Sequence, residues 1–442
     1  MQSSAFDEIR YRITQVLDGG EKEDADAWTA LDEDIRGALR YGGLPPAHTW
    51  FPGDGRNRRP GIRELAVALC GPDGRIRETA LAYVGDAPAL LPLVAIRCAD
   101  WAEPVRARAR AVLEAELPGL QDPPGPPCPS PEALRTVASV ILRVSGRRYG
   151  DTAAEMLGRL LREGPEAGAT ALRTSRDRRV RRLAHRIAVD RGLLSPAQLA
   201  ASAATDPDVV VQDLCADAVL AAVGTTGGTA GGTPLTRLLG ARQGRIRAAG
   251  VTGLRKAGRA EEAEPFLYDR STLVRACARW VLRQTGTDPL PLYRAVCAAG
   301  DGMPHHAPLG LAECGDRDTD ASTLWSLTGD ERPRVRAAAV AGLRVLDAVR
   351  PDRLAPLLGD SSPRVVRETR KALKPWADHS PVGDLPHRTA VAPSPQIGVD
   401  ASAPLREAGG APHRDMARAP APGPRAGIRR ILGFMGVLNR PR

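Results

Sequence analysis

An aliphatic residue followed by an arginine, opening an alanine-rich stretch, recurs along the chain. It stands at Ile76-Arg77, Val105-Arg106, Val180-Arg181, Ile246-Arg247, Val274-Arg275 and Val335-Arg336, with weaker copies at Leu134-Arg135, Val211-Gln212 and Val365-Val366-Arg367. Most copies are about 28 to 36 residues apart. An aspartate precedes the aliphatic position by five residues at Asp100, Asp269, Asp330 and Asp360, and Asp206 does the same before Val211. Self-similarity at a period of roughly 20–50 residues marks a solenoid. In one unit, Val335, Ala339, Leu343 and Leu346 form a single helical stripe, and Pro351 to Leu358 begins a second short helix. Helices of about 10–14 residues are marginal alone in water, and a pair still leaves an apolar face open. Stacking the pairs closes it.

The pattern D-x-x-x-x-V-R-x-x-A at this spacing resembles HEAT repeats, closest to the short HEAT-like type first noticed in phycobilisome lyases and carried by bacterial HEAT-repeat proteins. The likeness covers about residues 62–376. It implies an all-α solenoid of about nine or ten helix pairs. It also implies a ladder, in which the turn aspartate lies between two helices and the arginine of the second helix reaches a neighbouring turn. Carried over, the ladder uses Asp100, Arg106, Asp269, Arg275, Asp330 and Arg336. Gln212 after Val211, the missing aspartate before Ile246 and the late Arg367 are places where the ladder is expected to break. Arg336 could instead hold an anion as a ligand. The aspartate that recurs with it favours the structural role.

Composition agrees with helices. Apolar residues make up 43% of the 442 residues and aromatics only 4%, and alanine and leucine favour helix over sheet. The 45 glycines and 39 prolines predict short, often interrupted elements. The net charge of +10 is uneven: Met1 to Pro45 holds ten acidic and five basic residues, whereas Asp378 onward holds nine basic and five acidic. Only Lys22, Lys256, Lys371 and Lys374 are lysines among 62 basic residues. Such an arginine excess is what a GC-rich genome imposes, so the basic pI is weak evidence for nucleic acid. Seven scattered cysteines without a C-x-x-C spacing predict reduced thiols, and the charged N-terminus has no secretory apolar region. No apolar run approaches the ~18 residues needed to span a bilayer. The expectation is a soluble, cytoplasmic chain.

The expected organisation is a helical N-terminal cap (1–45), a loop (46–61), the repeat solenoid (62–376) and a Pro/Ala/Gly-rich disordered tail (377–442). The cap has helical stretches at Phe6–Leu17 and Asp24–Tyr41, and Pro118 to Pro131 reads as a proline-rich link. In the tail, Ile428, Ile431, Leu432, Met435 and Leu438 share one helical face, which suits a partner groove or a weak membrane-surface contact.

The densest charge lies between Leu172 and Arg191. There Val180, Leu183, Ala184 and Ile187 cluster on one side of a helical wheel, and Arg178, Arg179, Arg181, Arg182 and Arg186, with His185, fan over the other. An arginine face of this kind can meet phosphates, although a charge run is also what a solvated face looks like. HEAT-like repeats resemble those of alkylpurine DNA glycosylases, but the aromatic and acidic groove residues of such enzymes have no counterpart that the sequence identifies. Gly224 to Leu235 lacks the G-K-[ST] ending of a phosphate loop and reads as an inter-helix loop. Asp301, His305, His306, Cys314 and Asp316 gather in one stretch without metal-ligand spacing. No catalytic, cofactor or metal site is expected. The expected function is a non-catalytic scaffold that binds a protein partner on the solenoid's concave surface. Nucleic-acid or other polyanion binding through Arg178–Arg186 is the alternative, and a glycosylase- or lyase-like enzyme a third reading.

Overall fold

The computed structural model describes residues 2–18, 24–41, 44, 51, 59–117, 130–223, 232–300 and 302–377. Every regular element among them is a helix. The chain divides into two units, Met1–Gly258 and Arg259–Arg442.

Unit 1 opens with α1 (Gln2–Asp18) and α2 (Ala25–Arg40), which pack together. Six helix pairs follow: α3 (Ile62–Cys70) with α4 (Gly74–Leu81), α5 (Leu91–Arg97) with α6 (Glu103–Glu116), α7 (Pro131–Val144) with α8 (Asp151–Glu163), α9 (Glu166–Arg173) with α10 (Arg178–Asp190), α11 (Pro196–Thr205) with α12 (Val209–Val223), and α13 (Gly232–Leu239) with α14 (Gly244–Lys256). First helices pack on first helices, as α3 on α5 and α5 on α7, and second on second, as α4 on α6, α10 on α12 and α12 on α14. One apolar core runs from Ile9 to Ile187 and another from Ala188 to Ala249. No pair has a core of its own, and stacking supplies it.

Among the described residues, unit 2 holds four pairs: a 3-10 segment (Ala260–Tyr268) with α15 (Thr272–Gln284), α16 (Pro289–Ala299) with α17 (Ala307–Cys314), α18 (Arg317–Leu327) with α19 (Pro333–Val345), and α20 (Pro351–Leu354), continued by the 3-10 segment Ala355–Gly359, with α21 (Pro363–Ala377). The 3-10 segments contain Pro265 and Pro356. Proline removes a backbone donor and clashes with the preceding turn, so these first helices cannot run as regular α-helix. The second helices α17, α19 and α21 pack in succession. Both units are therefore all-α solenoid stacks.

Local chemistry sets where the helices start. Asp73, Asp177, Asp288 and Asp316 accept from backbone N–H groups two or three residues ahead, and Ser130 and Ser195 do the same before Pro131 and Pro196. Capping of this kind contributes about 1 kcal/mol per helix, and proline suits the first helical position.

Three expectations need correction. Gly232 to Leu235 is helical, within α13, because Thr233 to Leu239 can bury Leu235 and Leu238. Leu134-Arg135 lies on α7, the first helix of its pair, and so is not a repeat arginine. His185 does not join the solvent face: it is buried, and its Nδ1 lies 3.0 Å from the Arg181 carbonyl oxygen. The proline-rich link at 118–129, residues 224–231, Asp301 and the tail from 378 lie outside the described residues.

Candidate functional site

The fourth residue of each second helix occupies one repeated slot. In chain order it is Arg77, Arg106, Ala154, Arg181, Gln212, Arg247, Arg275, Gly310, Arg336 and Val366. Where arginine fills it, Nη1 donates to carbonyls five or six residues back in the pair's own turn. Arg77 reaches Gly71 and Pro72, Arg106 reaches Asp100 and Trp101, Arg181 reaches Ser175 and Arg176, Arg247 reaches Ala241 and Arg242, and Arg336 reaches Asp330 and Glu331, all at 2.8–3.0 Å. Arg275 takes the Asp269 carbonyl at 2.7 Å. These oxygens are orphans created where the first helix ends, so the guanidinium acts as a cap.

The other guanidinium edge faces the next pair. Arg77 Nη2 donates to Asp100 Oδ1 at 2.8 Å with both side chains buried. Arg336 forks onto both Asp360 oxygens at 2.9 Å, and the Arg181 Nε lies 3.7 Å from Asp206. The bidentate hydrogen bond from Arg336 holds the Asp360 carboxyl below its ordinary range. Other joints use substitutes. Arg106 stacks 4.0 Å over the Tyr149 ring, a cation–π contact in place of an ion pair. Arg275 and Arg279 both bind Glu313 on α17.

The slot arginine takes carbonyls of its own turn, and its carboxylate, where it has one, lies in the next pair. Asp100 and Arg106 share a turn, but Arg106 takes the Asp100 carbonyl while the Asp100 carboxylate belongs to Arg77 of the preceding pair. Asp269 likewise gives its carbonyl to Arg275, and its carboxylate accepts from the Ser271 N–H. Asp330 binds Arg332, which donates onward to Gly300 and Met303. Gln212, an expected break, still reaches the Asp206 carbonyl through Nε2 while its Oε1 accepts from Arg245, both at 2.5 Å. Arg367 makes no joint and lies 3.7 Å from Glu368. At Gly310 the Tyr293 ring fills the slot: a Cβ there would stand 2.0 Å from Tyr293 Cε1. The Tyr293 hydroxyl donates to the Leu267 carbonyl at 2.6 Å.

The α10 arginines separate into two groups. Arg181 is a joint. Arg182 forks onto Asp208 at 3.0 and 2.8 Å, and against the upward pull of burial that fork holds the Asp208 carboxyl low. Arg178, Arg179 and Arg186 remain exposed. Arg178 and Arg179 line an open cleft of about 590 Å³ with Arg143, Arg176, Asp24, Asp26 and Asp177. Arg143 pairs with Asp26 at 2.5 Å, so the cleft mixes both signs.

Beside α10, the open stripe of α12 carries Val210, Asp213, Leu214, Asp217, Ala218 and Ala221. Asp213 meets Arg245 of α14 at 2.6 Å. Burial, reinforced by the Asp213 charge, pushes the Asp217 carboxyl up to about 6. On α14, Arg255 and Lys256 are exposed. The second-helix row of unit 1 thus presents a basic band, an acidic and apolar band, then a basic band.

Burial pushes the thiols of Cys98, Cys215, Cys277 and Cys297 up to about 12 and that of Cys314 to about 11. They stay protonated at neutral pH and act as small apolar groups. No group of three or more metal-ligating side chains occurs among the described residues, and no helix there is long and apolar enough to cross a membrane.

No protein-family model and no curated protein matches the chain. Among solved structures, it is similar to a mutant of Kap121p, with 14% sequence identity and a TM-score of 0.26. The match covers 78% of this chain and 45% of that one, so the chain spans under half of that protein's length.

Proposed function

We propose that the chain is a non-catalytic scaffold of HEAT-like repeats that docks a protein partner on its row of second helices. The observation that carries this reading is the banded face of α10, α12 and α14. A polyanion needs continuous positive potential, whereas here Asp213 and Asp217 interrupt it. Half-exposed Leu183, Leu214 and Ala218 between the charged groups suit a protein surface, whose interfaces mix an apolar centre with polar surroundings. Of the five α10 arginines that look like ligand contacts in the sequence, Arg181 is spent on its own turn and Arg182 on Asp208, while Arg178, Arg179 and Arg186 stay exposed.

The cleft at Arg143, Arg176, Arg178 and Arg179 supports anion binding as a second reading, with three aspartates opposing it. Two measurements separate the two. A partner recovered with the wild-type protein should be lost with Leu214→Arg while circular dichroism stays unchanged. Duplex DNA titrated at 50 mM salt should bind no better than a phosphate-free control. Tight DNA binding that weakens steeply with salt and with Arg178→Ala/Arg179→Ala would replace the protein-docking reading with the polyanion one.

A further inference from the structure

The last described helix, α21, packs on α19 and on the 3-10 segment before it. Its outer side carries exposed Arg364, Arg367, Arg370, Lys371 and Lys374 against a single acid, Glu368. Glu368 is shared by Arg367 and Lys371. Among the described residues, no carboxylate pairs with Arg364, Arg370 or Lys374. The slot residue here is Val366, so no guanidinium fills the space where a next turn would lie. What remains is an open cleft of about 520 Å³, lined by Asp360, Ser361, Pro363, Val366, Arg367, Arg370 and Lys371, in which the Asp360 carboxylate is already taken by Arg336. Val366 and Pro363 form an apolar notch bordered by three cations and by the Arg336-bound Asp360.

Helix α1 presents the opposite chemistry. Ile9, Ile13 and Val16 are buried, and the opposite side of the same helix carries Asp7, Glu8, Tyr11, Gln15 and Asp18. Tyr11 stands 61% exposed at the centre of that side. Arg12, on its flank, is drawn to Asp34 at 2.5 Å, which leaves Arg10 as the flanking cation. Ten acids against five bases in Met1–Pro45 keep the whole region negative.

We propose that α1 of one copy docks on α21 of a second copy, with Tyr11 against the Val366–Pro363 notch and Asp7 and Glu8 among Arg367, Arg370 and Lys371. The contact extends the logic of the joints, in which a cation on one element meets a carboxylate on the next. It is head-to-tail, so a docked pair keeps one free head and one free tail. The chain's own segment after residue 377 is a poorer occupant, because its net charge of +4 matches the sign of α21.

Sedimentation of the full chain at 50 and 500 mM salt tests this. Wild type should self-associate at low salt and dissociate at high salt. Arg367→Ala/Arg370→Ala has an intact head, and Asp7→Lys/Glu8→Lys has an intact tail. The alanine tail gives the lysine head no new acid to pair with. Each should be monomeric alone with an unchanged circular dichroism spectrum. Mixed in equal amounts, they should form a dimer and stop there. A wild-type protein that stays monomeric at low salt, or folded variants that associate like wild type or fail to pair when mixed, would overturn the proposal. Dimers lost on truncation at residue 377 but not with the charge variants would assign the face to the C-terminal segment instead.

Discussion

At Arg77 one guanidinium edge holds two carbonyls while the other holds the Asp100 carboxylate, a task for which a single ammonium has the wrong shape. The arginine excess that the sequence attributes to genome composition thus has a structural use at the slot. At Asp217 the physics runs the other way. Its folded pKa of about 6 lies above the ~3.9 of an unfolded aspartate, so the folded chain binds this proton more tightly than the unfolded chain does. Ionisation therefore costs stability above pH 6, and that cost fades as the pH falls from about 6 to about 4. Asp217→Asn should be more stable than wild type at pH 8, with the difference shrinking toward pH 4. A difference independent of pH in urea titrations would contradict this. Of the residue-scale features, the five-residue Asp-to-aliphatic spacing was legible because it repeats. The individual carboxylate partners were not readable from the residues, only a neighbouring turn from the HEAT-like resemblance, since Arg77 and Asp100 belong to different periods and packing brings them together.

Each second helix is a short rod whose slot residue closes the gap to its own turn, and the exceptions show what the slot requires. On α17 the slot is glycine because the Tyr293 ring occupies the volume and its hydroxyl supplies a hydrogen bond to the Leu267 carbonyl. Gly310→Ala should therefore force the ring aside and destabilise unit 2 by about 1–3 kcal/mol, the usual cost of overpacking. Gly192→Ala also changes one glycine to alanine, but nothing lies within 4 Å of its Cβ position. It tests backbone strain instead, since φ is +67° there. A thermal melt of Gly310→Ala that matches wild type would show that α16 and α17 pack more loosely than described. The helix pairs themselves were legible from the apolar stripes and turn residues. Tyr293 standing in for an arginine was not, because its sequence neighbours carry no trace of the slot. The arginine run of α10 read as one face for a similar reason: Asp208, which claims Arg182, sits 26 residues away.

For the whole molecule, charge is organised at two levels. Inside each stack, arginines are consumed by turns and neighbouring carboxylates. Outside, the surplus is placed in bands and at α21, opposite in sign to the first helix. Forked guanidinium joints, rather than positive charge as such, tie successive pairs into one core, and Arg77 is the sharpest instance because it is fully buried. Removing one partner from a buried ion pair costs about 3–5 kcal/mol, and a lysine at this position keeps the charge while losing the fork. Urea denaturation of Arg77→Lys, followed by helix signal, measures the difference directly. The joint predicts a unit 1 transition at clearly lower urea, by roughly 2–3 kcal/mol, part of that buried-pair cost. A midpoint equal to wild type would mean that charge alone suffices, and would contradict the account.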